Sequence, residues 1–138
     1  MLNNTTFDWH MYFELANSYA QENDPAKLRT GIGRFYYSAF LESRDHIINN
    51  KLFLSKTNEN IMLSTSGRVH RETRIAFKNN EKLNQRNAGK KIAQRLNVLR
   101  KYRNMVDYDS EKPENLKHAF NRCQSKSKRI FELLEELS

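Results

Sequence analysis

The sequence predicts an all-α fold, an up-and-down bundle of about five helices, and three observations carry that expectation. Only four glycines and two prolines occur in 138 residues, too few turn formers for a many-stranded sheet. Apolar residues recur at steps of three and four along most of the chain. Hydrophobic residues make up 38% and charged residues 29%, the balance of a globular chain with a wide wetted surface. A chain this long can bury one core but not two, so residues 1–138 are read as a single domain.

In chain order, Trp9, Phe13, Ala16 and Ala20, flanked by Tyr12 and Tyr19, predict a first amphipathic helix from about Phe7 to Glu22. Asp24 can cap a second helix while Pro25 fills its first turn, where a missing amide costs nothing. Leu28, Ile32, Phe35 or Tyr36, Ala39, Phe40, Ser43 and Ile47 carry that helix to about Asn50. From Asn50 to about Ser66 the chain turns polar and reads as a long loop, with at most a helical turn at Ile61, Met62 and Leu63. Thr65 or Ser66 can open a third helix holding Val69, Ile75, Ala76 and Phe77. The fourth runs from about Asn87 to Val106, a turn spans Asp107 to Pro113, and the stripe Leu116, Phe120, Cys123, Ser127, Ile130, Leu134 and Leu137 makes the last helix.

The composition excludes several functional classes. No window approaches the ~20 apolar residues of a membrane span, and the N-terminus lacks the basic and apolar regions of a signal peptide. A cytoplasmic protein is expected. The lone cysteine, Cys123, offers neither an intrachain disulfide nor a metal cluster. His10, His46 and His118 have no spacing that joins them, so no metal and no cofactor is expected. Gly31-Ile32-Gly33 lacks the rest of any nucleotide fingerprint.

The net charge of +8 is uneven. Between Gly67 and Arg103 twelve lysines and arginines face only Glu72 and Glu81, a net +10, which leaves about −2 for the rest of the chain. Such a segment attracts a polyanion, or else forms a solvated face. Within it, Ile92, Leu96, Leu99, Arg103 and Val106 share one helix face, so Arg103 stands on an apolar stripe. A guanidinium there needs a partner, water or a ligand.

Three stretches carry a family resemblance: Arg34-Phe35-Tyr36-Tyr37-Ser38-Ala39-Phe40, Ser66-Gly67-Arg68-Val69-His70, and Arg103-Asn104-Met105-Val106-Asp107-Tyr108. In order and spacing they resemble the HEPN superfamily, small helical bundles of prokaryotic toxin, defence and nucleotide-handling systems. The resemblance implies a homodimer and a metal-independent endoribonuclease site, built from an Arg, a polar residue and a nearby His. Here Arg103 and Asn104 match the first two positions, while Tyr108, preceded by Asp107, stands where the histidine is expected.

On that resemblance Arg103 stabilises the charge of a scissile phosphate, Asn104 orients it, and Asp107 and Tyr108 complete the catalytic group. His70, Arg68, Arg71, Arg74 and Arg100 of the basic segment would contact RNA, with Tyr37 lining the cleft. The competing reading for Arg103 is an ion pair with Asp107, four residues on. The competing function is a non-catalytic RNA- or nucleotide-binding subunit. Its partner would be a nucleotidyltransferase-type antitoxin, with Tyr108 a candidate modification site. A structural adaptor is the third reading.

Overall fold

A computed structural model describes residues 7–108 and 115–137, which form six α-helices and one 3-10 turn. The helices are α1 (His10–Asn17), α2 (Pro25–Asn49), α3 (Lys56–Met62), α4 (Val69–Asn79), α5 (Ala88–Tyr108) and α6 (Leu116–Glu136), with the turn at Glu81–Leu83. The all-α expectation holds among the described residues. At 25 residues, α2 is about 37 Å long, and it packs against α1, α5, α6 and the edge of α4. Phe35, Tyr36, Phe77 and Phe120 are the largest fully buried side chains of the core. Gly31 lets α6 approach, since a Cβ there would fall 2.5 Å from the Phe120 ring.

Asp24 caps α2 by accepting from the Ala26 amide, with Pro25 in the first turn. α1 is shorter than its periodicity suggests, because after Asn17 the chain tightens into i to i+3 turns. The Lys117 ammonium then takes the Ala20 carbonyl. The indole N–H of Trp9 donates to Asp45 at 2.7 Å and ties the start of α1 to α2. Cys123 is buried in α6, and burial pushes its thiol up to about 12, which suits packing and not reactivity.

The expected loop of residues 50 to 66 contains α3. Ser55 caps it by accepting from the Asn58 amide at 3.1 Å. Buried Asn58 donates to the carbonyl and carboxylate of Glu72 and accepts from the Leu54 amide. Cap and docking, not periodicity, make this short helix. α4 starts later than expected, with the Ser66 hydroxyl accepting from the Arg68 amide one step before it. α5 runs on through Asp107 and Tyr108, so the first two residues of the expected turn are helical. The rest of that turn lies outside the described residues.

Asn84 joins α4 to α5. Its amide group donates to the carbonyls of Phe77, Lys78 and Asn80, while its carbonyl accepts from the Lys90 amide at 2.8 Å. It thus satisfies orphan groups at the end of one helix and the start of the next. Replacing Asn84 by alanine leaves the partly buried carbonyls of Phe77 and Asn80 without that donor. The expected cost is about 2 kcal/mol, read as a lower urea midpoint with an unchanged slope.

Candidate functional site

The helix-packed faces of α2, α4 and α5 converge on Arg103. Its apolar neighbours on α5, Leu99 and Val106, are buried, and Arg103 itself is only 9% exposed. Its guanidinium carbon lies 5.5 Å from the Tyr36 ring and 5.3 Å from the Tyr37 ring, both on α2, within cation–π range. The end of α5 is held in place by Arg29, whose guanidinium donates to the Val106 carbonyl at 2.7 Å.

Beside this arginine sits His70, from the first turn of α4. Its ring stacks on Phe40 at 4.2 Å, and its Nδ1 lies 2.5 Å from the Tyr36 hydroxyl. Burial drives the Tyr36 pKa upward, against the pull of Arg100, Arg103 and Arg74, so the phenol keeps its proton. The assigned bond therefore runs from the phenol to Nδ1, and the neutral imidazole carries its own proton on Nε2.

His70 is pushed down to about 4, first by burial and then by Arg100, Arg103 and Arg74. The same three cations act on Tyr36 and on His70, so all three lie within electrostatic reach of this pair. Each of them has a buried nitrogen without a hydrogen-bond partner among the described residues: Nη1 of Arg74, Nε of Arg100 and Nε of Arg103. The Arg74 guanidinium is itself depressed, by burial and then by Arg100. Among the described residues Arg103 has one ion pair, with half-exposed Asp107, 3.7 Å from Nη1, too long for a hydrogen bond. A cluster this rich in donors and poor in acceptors is complementary to an anion with several oxygens, such as a phosphodiester.

Depression of His70 has a consequence for stability. In the unfolded chain the imidazole has its ordinary pKa near 6.5, so on acidification the unfolded state takes up the proton first. The His70 contribution is complete above about pH 6.5 and is lost as the pH falls toward the folded value of about 4. Thermal midpoints between pH 7 and pH 4.5 should therefore fall more steeply in the wild type than in His70→Gln. The comparison with the variant matters, because burial also lowers His46.

The expected site residues do not all meet. Arg103, His70, Arg74, Arg100 and Tyr37 come together. Each helical residue advances by about 100°, so Asn104 and Tyr108 share a different face of α5 from Arg103. Asn104 is exposed and Tyr108 is 80% exposed. Arg68 and Arg71 are also exposed. Tyr36 passes for a core aromatic when only its place in the chain is known. Its bond to His70, 34 residues away, makes it part of the site.

One further group could hold a cation. The donor atoms of Asp8, His10 and Glu42 lie within 4.8 Å of one another. Nδ1 of His10 is 3.2 Å from Asp8 and 3.8 Å from Glu42, which are also ion-pair distances for a protonated imidazole. Glu42 is 32 residues from His10, beyond any local spacing rule. Comparison with protein-family models, with curated proteins and with solved structures gives no match.

Proposed function

We propose that the protein is a metal-independent endoribonuclease that grips a backbone phosphate among Arg74, Arg100 and Arg103. The observation that supports this most directly is their convergence, with unpartnered buried nitrogens, around His70. In the proposed reaction the 2′-hydroxyl attacks the adjacent phosphorus while its proton passes to the Asp107 carboxylate. Arg103 stabilises the charge gathering on the phosphate oxygens. The bound phosphate raises the proton affinity of His70, whose protonated form then delivers a proton to the departing 5′-oxygen. The products are a 2′,3′-cyclic phosphate and a free 5′-hydroxyl.

The likeness of three stretches to the HEPN superfamily supports the setting, a toxin–antitoxin or phage-defence system in the cytoplasm. It also supports a homodimer, in which outward-facing Asn104 and Tyr108 would meet the RNA or the second copy. No helix among the described residues is long and apolar enough to cross a membrane.

The test is incubation of the purified protein with mixed RNA in chelator, followed by end-group analysis. Cyclic phosphate ends that vanish in His70→Gln are expected, and products with 5′-phosphate ends would reject the mechanism. A second reading, a non-catalytic RNA- or nucleotide-binding subunit with a nucleotidyltransferase-type partner, is favoured by one observation. Tyr108 stands exposed and apart from the cluster, where a partner enzyme can reach it. Bound but uncleaved RNA would favour that reading.

A further inference from the structure

Arg74, one member of the arginine cluster, also lines a groove of about 530 Å³ between α4 and α5. Arg71, Arg74 and Lys78 line it from α4, and Lys90, Gln94 and Asn97 line it from α5. Ile75 and Ala93 supply its apolar surface, and among the described residues no carboxylate lines it. We infer that this groove is a second binding site, which holds the phosphates flanking the one at Arg103 on the same RNA strand. The inference rests on reading the cluster as a phosphate site.

Direction follows from the helix packing. At the far end Gly89 lies against the Phe77 carbonyl, so the end of α4 and the start of α5 are close together. Lys78 and Lys90, each one residue on from those two, therefore mark the end of the groove remote from Arg103. Along α5, Lys90 and Arg103 are 13 residues apart, about 20 Å, a reach of more than one nucleotide. Arg74 belongs to both parts. It lines the groove, and its charge acts on His70.

The alternative, a merely solvated basic face, does not account for the concave arrangement of these cations. Carboxylate pairs are also few elsewhere on the surface: Lys27 with Glu22, Lys56 with Glu59, and Arg129 with Glu132 and Glu136. Among the described residues Arg71, Arg74, Lys78 and Lys90 have no such pair, and they face one another across a concave surface. Cations held together in that way lower their mutual repulsion by binding a polyanion, with release of its counterions. Gln94 and Asn97 add donors and acceptors for sugar or base edges.

The experiment uses the double variant Lys78→Gln/Lys90→Gln, whose two positions are exposed and whose folding is checked by thermal melting. The probe is an uncleavable 2′-O-methyl oligoribonucleotide of about twelve nucleotides, within the range of known single-strand sites, compared with a dinucleotide. Wild-type affinity should rise with length, and the double variant should lose most of that rise. The plot of log affinity against log salt should become shallower by about 1.4, at about 0.7 for each phosphate that is no longer neutralised. An unchanged salt slope and length dependence in the double variant, while Arg103→Met still abolishes binding, would overturn the groove and leave the cluster reading standing. Failure of the wild type to bind the longer probe would overturn both.

Discussion

Replacing Arg103 by methionine should abolish RNA cleavage without unfolding the protein. Loss of a preorganised donor to a charged transition state typically costs ~10²–10³ in rate, so initial rates on labelled RNA should fall by at least that factor. Stability is expected to move the other way. Arg103 is almost fully buried, has an unpartnered Nε, and shares its surroundings with Arg100 and Arg74. The two aromatic contacts it would forfeit are worth about 1 kcal/mol each, and the long pair with half-exposed Asp107 less. A buried charged group with an unmet donor costs about 1–3 kcal/mol or more. Methionine fills similar space among Tyr36, Tyr37 and Val106 without that penalty. Thermal melting should give a midpoint equal to the wild type or a few degrees above it. A large fall in midpoint, with activity lost in step, would instead make Arg103 a structural residue and remove the basis for the proposed site.

Gly89→Ala should be the most damaging single methyl addition in the chain. A Cβ at this position would lie 2.2 Å from the Phe77 carbonyl oxygen and within 3.0 Å of the Asn84 side-chain amide. The first neighbour is backbone, so α4 and α5 must separate, and the Asn84 bonds that join them are strained as they do. Alanine gains about 1 kcal/mol of intrinsic helix propensity over glycine, whereas overpacking costs about 1–3 kcal/mol and at backbone contacts more. The net expectation is a loss of about 2 kcal/mol, or about 5–10 °C in midpoint. RNA affinity should fall as well, because the same crossing sets Arg74 opposite Arg100. Gly67→Ala is the control: nothing lies within 4 Å of a Cβ there, and its midpoint should match the wild type. A Gly89→Ala midpoint equal to that of Gly67→Ala would show that the helices are not in the close contact described.

Most of the helical content was legible along the chain, because a buried face leaves a period of 3.6 in the apolar residues whatever packs against it. The extent of α2 and α6, most of α5, and Arg103 on its apolar stripe are readings of that kind, while the Asp24 cap follows from local residue chemistry. α3 was not legible. It is short and mostly polar, and it depends on the Ser55 cap and on docking of Asn58 against Glu72, 14 residues further on.

The candidate site divides in the same way. Residue order alone establishes that a basic segment surrounds an arginine on an apolar face, because charge and periodicity are local properties. It could not show that this arginine points toward Tyr36 and His70 while Asn104 and Tyr108 point elsewhere, nor that Arg74 and Arg100 share its surroundings. Those points depend on long-range packing. α2, α4 and α5 come to a common line, and the rotation of each helix about its axis selects which side chains meet there. Periodicity says which face of a helix is buried, but it does not say what is buried against it.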